Sequence, residues 1–263
     1  MQASTTREGP ATPGWKKKLP FLRWSVLKMV FKMRRQLLVH WQAVDGREEK
    51  LARYVLANAR PGDVADAIRA IDRFAYDKSF LINVGDEKGQ ILDAAVKRAR
   101  PARILELGTY CGYSALRMAA AAPDAQIVSI EFNPANADIA RRIFAHAGAG
   151  ARITVVVGAL GDGGATIAAL RDRYGFSAGS VDFVFVDHAK DAYLPDLQRI
   201  EAEGWLHPGS VVVADNVKFP GAPAYRAYMK KNEGRSWRST EHKTHAEYQT
   251  LIRDLVLESV RLI

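Results

Sequence analysis

Apolar positions recur along this chain in two alternating patterns. Five short runs, Arg103–Leu107, Ile127–Glu131, Ile153–Val157, Val181–Val186 and Val211–Ala214, are predominantly apolar. Runs of that length, rich in β-branched residues and lacking polar alternation, read as strands buried on both faces. Between them apolar residues follow helical spacing over Tyr113–Ala122, Ala135–Ala147, Ala165–Tyr174 and Tyr193–Glu201. Strand alternating with helix predicts an α/β fold with a doubly wound parallel sheet. Past Pro223, Tyr225–Lys231 reads as a helix. Trp237–Glu241 and Leu251–Leu262 read as two strands that pair antiparallel on the sheet edge. Seven strands result, mostly parallel. Upstream, helical spacing marks Leu51, Tyr54, Val55 and Ala59, then Ala65 to Tyr76, then Gln90 to Arg98, with Asp86 and Lys88-Gly89 ahead of that last helix.

One further stretch changes the picture. Over residues 15–44, Phe21, Leu22, Trp24, Leu27, Phe31, Leu38 and Trp41 alternate with a stripe of Ser25, Lys28, Lys32 and Arg35, as in an amphipathic basic helix. Arg23, Lys28 and Lys32 interrupt any apolar run long enough to span a bilayer. Two readings stand: a helix lying on an anionic membrane surface, or a helix docked on the domain with a solvated cationic face. The net charge of +9 belongs to this segment. Of 38 cations and 29 acids, residues 1–44 hold nine cations and one acid, so the remainder, with 29 and 28, is nearly neutral. A nucleic-acid partner is disfavoured by that split. The division expected is a basic extension over 1–45 and a catalytic domain over 46–263. The single cysteine, Cys111, excludes an intrachain disulfide and suits a reducing, cytoplasmic setting.

Three places carry candidate chemistry. The first strand leaves through Gly108-Thr109-Tyr110-Cys111-Gly112-Tyr113-Ser114, a glycine loop opening onto a helix N-terminus. Tyr110 stands where a dinucleotide fingerprint needs its second glycine, so a ligand smaller than a diphosphate is indicated. The second strand ends on Glu131, placed to accept both hydroxyls of a ribose. Glycine loop and ribose acid without diphosphate chemistry suggest S-adenosylmethionine. Two other strands end on oxygen ligands, Asp187 in one case and Asp215 followed by Asn216 in the other. An oxygen-only set favours Mg²⁺ over zinc. Lys190, beside that set, is a candidate general base.

Several segments together resemble catechol O-methyltransferase: Ile82-Asn83-Val84-Gly85-Asp86, Leu105-Glu106-Leu107-Gly108 through Ser114, Ile130-Glu131, Asp187-His188-Ala189-Lys190-Asp191, Ala214-Asp215-Asn216-Val217 and Pro220-Gly221-Ala222-Pro223. The similarity runs from about Gly46 to the C-terminus with nearly constant spacing. It implies a Rossmann-like S-adenosylmethionine-dependent methyltransferase fold. It implies that Asp187, Asp215 and Asn216 bind Mg²⁺, that both oxygens of a catechol coordinate the metal, and that Lys190 takes a proton. Glu247 matches the glutamate that hydrogen-bonds the second hydroxyl. Val84, Gly108, Tyr110, Ser114, Glu131, His188 and Asp187 match cofactor contacts. Phe80, Ala189, Lys190, Asn216, Pro220 and Glu247 match the substrate pocket. Two departures stand out. Phe80 and Ala189 replace the tryptophans that cover the catechol in that family, and Leu160-Gly161 replaces a Ser-Gln pair near the adenine.

The expected activity is Mg²⁺-dependent methylation of one catechol hydroxyl by a monomeric enzyme, in the cytoplasm or at a membrane surface reached through residues 15–44. Loss of an indole at Ala189 opens an alternative, methylation of larger vicinal diphenols of flavonoid or caffeoyl type. A non-enzymatic alternative is a membrane-surface scaffold.

Overall fold

The computed structural model describes residues 46–263. The expected basic helix and the 1–45 extension lie outside the described residues. Three helices come first, α1 (Arg47–Asn58), α2 (Val64–Asp77) and α3 (Gly85–Ala99). The alternating region follows as β1 (Arg103–Leu107), α4 (Tyr113–Ala121), β2 (Gln126–Glu131), α5 (Pro134–His146), β3 (Ile153–Val157), α6 (Ala165–Tyr174), β4 (Val181–Val186), α7 (Tyr193–Ala202) and β5 (Leu206–Ala214). A π-type turn over Val217–Gly221, α8 (Pro223–Lys231), β6 (Trp237–His245) and β7 (Arg253–Arg261) complete the chain.

The seven strands form one sheet in the order β3-β2-β1-β4-β5-β7-β6. β7 runs antiparallel to both β5 and β6, and the other pairings are parallel. Each central strand feeds both layers of core through its two-residue period. Phe183 and Phe185 of β4 pack with Leu51, Ile71, Leu92, Leu116 and Ile143 of α1–α5. Val184 and Val186 pack with Leu170, Leu197, Ile200, Tyr225 and Met229 of α6–α8. Burial on both faces is why the strands carry no polar alternation, and truncating Phe183 or Phe185 to alanine would cost about 3–5 kcal/mol.

Three boundaries differ by more than two residues from those the pattern predicts, and the first is β5, which begins at Leu206 rather than Val211 because Leu206 pairs with Val181 of β4. α3 begins at Gly85, so Asp86 and Lys88-Gly89 lie inside the helix rather than ahead of it. Gly89 weakens a helical pattern, but Asp86 and Glu87 suit the positive end of the helix dipole. Gly89 also sits where a Cβ would meet the Arg117 guanidinium at 2.3 Å, so it is needed for packing. β6 extends to His245, past Glu241, because it pairs with β7 along its whole length.

Strand order reverses between β1 and β4, and the carboxyl ends of strands at such a switch point are the usual ligand position in sheets of this kind. Gly108 leaves β1 there and Asp187 leaves β4. The two loops touch: a Cβ on Gly108 would lie 2.3 Å from the Asp187 carbonyl oxygen, and φ at Gly108 is +101°. Only glycine allows this close approach.

Candidate active site

On the β1 side the exit loop is held by β2. The Gly108 and Thr109 amides donate to the Ile130 carbonyl at 3.0 and 3.2 Å. Glu131 accepts the Tyr110 amide at 2.7 Å and the Asn133 amide at 2.9 Å. Burial raises its carboxyl above the ordinary range against the pull of those amides. Beneath the loop, Glu106 is fully buried and accepts hydrogen bonds from Ser114 and Ser129. Burial pushes Glu106 up to about 8. Ser114 is thereby fixed at the start of α4. Val84 is buried and caps α3, whose Gly85 amide donates to Asn83 Oδ1 at 3.0 Å.

The β4 and β5 ends converge on one side chain. Lys190 Nζ donates to Asp187 Oδ1 at 3.0 Å, to Asn216 Oδ1 at 3.3 Å and to the Tyr193 hydroxyl at 2.5 Å. Tyr193 passes a hydrogen bond to the Asp215 carbonyl at 3.0 Å. Asn216 takes the left-handed conformation at φ 53°, which asparagine tolerates better than most residues. That bend aims its amide back across the strand ends. Asp215 is wholly buried, and its Oδ1 accepts the Asn216 amide N–H at 2.7 Å. Its Oδ2 lies 2.8 Å from Lys88 Nζ, an ion pair by distance, yet it makes no aligned hydrogen bond. Burial pushes Asp215 up to about 8 against the pull of Lys88, with the Asp187 and Glu247 carboxylates adding to the rise.

Glu247 joins the same cluster from the loop between β6 and β7. Its Oε1 accepts Lys88 Nζ at 2.6 Å and Asn216 Nδ2 at 2.9 Å. Burial alone would raise this carboxyl, but Lys88 and Asn216 outweigh it and hold the group below the ordinary range. His188 makes its polar contact outside that network. Its Nε2 meets Asp196 Oδ2 at 2.9 Å, its ring stacks on Tyr193 at 5.1 Å, and its buried Nδ1 has no partner.

The fold therefore brings Asp187, Lys190, Asp215, Asn216 and Glu247 into one connected network. Phe80 is half-buried, and Ala189 and Pro220 are exposed, so these three are not part of it. Two oxygens, Asp187 Oδ1 and Asn216 Oδ1, already share one cationic group in the Lys190 ammonium, and a third, Asp215 Oδ2, is buried without an aligned donor. Two carboxylates and an amide, with no histidine or thiol, fit a hard divalent cation. No cluster of three His, Cys, Asp or Glu side chains suited to a metal occurs among the described residues.

Residues 64–234 match the O-methyltransferase family model. The chain belongs to the O-methyltransferase family. A probable O-methyltransferase of Mycobacterium tuberculosis is 61% identical over 225 residues, covering 86% of this chain and 96% of that protein. Mouse catechol O-methyltransferase is 39% identical over 210 residues, covering 80% of this chain and 77% of the mouse protein. Among solved structures, the O-methyltransferase TomG of Streptomyces achromogenes, in complex with S-adenosylmethionine, superposes with a TM-score of 0.59 at 22% identity. That match covers 92% of this chain and 98% of TomG. The O-methyltransferase thus has the Rossmann-like fold of S-adenosylmethionine-dependent methyltransferases, as the sequence predicts. No described helix of this O-methyltransferase is long and apolar enough to cross a membrane.

Three residues joined to the network, Lys88, Tyr193 and Asp254, escape sequence reading, as does Glu106 beneath the glycine loop. Lys88 and Asp254 meet across 166 residues, which no local spacing reveals. Tyr193 had a faint signal, since it lies three residues after Lys190 and so returns to the same side of a helical turn.

Proposed function

We propose that this O-methyltransferase transfers a methyl group from S-adenosylmethionine to one hydroxyl of a catechol, with Mg²⁺ as cofactor. The observation that carries this reading is the convergence of Asp187 Oδ1 and Asn216 Oδ1 on Lys190 Nζ, at the ends of adjacent strands. The likeness to mouse catechol O-methyltransferase supports the substrate class.

In this reading the cofactor lies at the carboxyl ends of β1 and β4. Glu131 would accept the ribose hydroxyls, Val84, Gly108, Tyr110, Ser114 and Asp187 would contact the cofactor, and His188 its adenosine. Asp187, Asp215 and Asn216 hold Mg²⁺, which when bound supplies Lewis acidity toward two vicinal hydroxyls. Lys190, whose ammonium would first have to yield the Asp187 and Asn216 oxygens to the metal and lose a proton to solvent, would then take the proton of the attacked hydroxyl on its neutral amine. Glu247 accepts a hydrogen bond from the other hydroxyl, a role its low carboxyl pKa supports. The phenolate oxygen forms a bond to the methyl carbon as the carbon–sulfur bond breaks, leaving S-adenosylhomocysteine. Holding the two reactants in line supplies much of the rate.

Phe80, Ala189 and Pro220 border the substrate mouth. Exposure of Ala189, where related enzymes carry an indole, favours larger vicinal diphenols as a second reading of the same site. Methyl transfer to dihydroxybenzoate and to a caffeoyl ester, each with Mg²⁺ or EDTA, tests both readings. Loss of product in EDTA supports the metal, and full activity there overturns it. A tenfold or greater preference for the small catechol counts against the enlarged mouth.

A further inference from the structure

Asp254 of β7 is buried, with 2% of its surface exposed, and it makes three polar contacts. Its Oδ2 accepts Asn216 Nδ2 at 2.8 Å and Lys88 Nζ at 3.3 Å. Its Oδ1 accepts the Phe219 amide at 2.9 Å. Asn216 Nδ2 is shared with Glu247 Oε1 at 2.9 Å. A flipped Asn216 amide would set its oxygen against two carboxylates and its NH₂ against the Lys190 ammonium. The surrounding chemistry therefore permits one orientation, with Oδ1 facing Asp187 and Lys190.

Taking the metal site of the proposed function as the premise, we infer that Asp254 is a positioning residue that fixes Asn216 as a metal ligand, with Lys88 as the buried cation that holds Asp254 and Glu247 together. Asp254 turns the amide oxygen outward before any metal arrives. Through the Phe219 amide it also ties down the Val217–Gly221 turn that carries Pro220. Lys88, 1% exposed, balances charges that would otherwise repel within one buried cluster. Metal ligand, hydroxyl acceptor and mouth turn are thus held by one hub that itself touches neither metal nor substrate.

Asp254→Asn keeps the volume but breaks this arrangement in either rotamer. If the new amide oxygen serves Asn216 and Lys88, the new NH₂ faces the Phe219 N–H. If the amide is reversed, the NH₂ faces two donors. Mn²⁺ binding measured by electron paramagnetic resonance, without diphenol, should weaken about 10- to 100-fold, as for other groups that orient a metal ligand. Affinity for S-adenosylhomocysteine should stay within about twofold, which separates positioning from general damage. Mn²⁺ affinity of Asp254→Asn within threefold of the parent would overturn the inference while leaving the metal site standing. A parent protein that binds no Mn²⁺ would overturn both. Should Asp254→Asn fail to fold, exchange of the Asn216 side-chain protons in the parent, followed by NMR, decides instead. Protection from solvent exchange is expected, and exchange at the rate of an exposed asparagine would overturn the inference.

Discussion

Gly108→Ala probes the close contact between the β1 and β4 exits. Two costs can be worked out. A non-glycine residue at φ +101° is strained by about 1–3 kcal/mol. The added Cβ would also lie 2.3 Å from the Asp187 carbonyl oxygen and 2.8 Å from its carbon, both backbone atoms that cannot swing aside. Overpacking of this kind costs about 1–3 kcal/mol more. Gly163→Ala is the internal control, since φ there is +80° and a Cβ would meet nothing within 4 Å. The control isolates strain, at about 2 kcal/mol, and Gly108→Ala adds the clash, for about 4 kcal/mol in all. At roughly 2–4 °C per kcal/mol for a domain of this size, Tm should fall by about 4–8 °C in the control and about 8–16 °C in Gly108→Ala. Because the clash pushes the β1 and β4 exits apart, methyl transfer should also drop by on the order of 10²-fold in Gly108→Ala, the effect of about 1 Å of misplacement. The control should keep its activity. Differential scanning calorimetry and a radiolabelled methyl-transfer assay read both effects. Equal Tm losses in the two variants would refute the reasoning, because the clash would then contribute nothing.

Three other outcomes follow from the site. Lys190→Met should lower kcat by about 10²–10⁴-fold, the worth of a positioned proton acceptor, with cofactor affinity unchanged in calorimetric titration. Lys88→Met should destabilise the fold by about 3–5 kcal/mol in urea unfolding, because it strands Asp254 and Glu247 as buried carboxylates without their cation; an unchanged midpoint would contradict the account. Glu106 titrates near 8 in the fold against 4.5 for the ordinary carboxyl, so the protonated form is the one the fold favours. Its contribution is complete below about pH 4.5 and is lost as pH rises through about 8. Parent stability minus that of Glu106→Gln should therefore decline between those values, and a flat difference would count against a protonated Glu106.

The parallel core was legible because strands buried on both faces are mostly apolar, as in Val184-Phe185-Val186. The polar strand ends that the fold brings together were legible for the same reason: Asp187, Asp215 and Asn216 break apolar runs where the chain leaves the sheet. Helix starts were less clear. Lys88-Gly89 read as lying ahead of the helix, whereas Gly89 is inside it and faces the Arg117 side chain, a tertiary fact. Lys88 resembles any lysine in the first turn of a surface helix. Only the pairing of β7 with β5 carries Asp254 to it. Asp254 gave no signal either, since a single acid at the start of a strand is ordinary. The supporting shell of the site is thus written in long-range contacts, while the groups that would touch metal and substrate are written in local pattern.

The central claim is that the Asp187, Asp215 and Asn216 oxygens bind a divalent cation that methyl transfer requires. The most direct measurement is a single-turnover transfer of labelled methyl from S-adenosylmethionine to dihydroxybenzoate, run with Mg²⁺, with EDTA, and with Asp215→Ala in Mg²⁺. The account predicts product in the first reaction and a loss of several orders of magnitude in the other two. Equal product with EDTA, or full activity of Asp215→Ala, would contradict it.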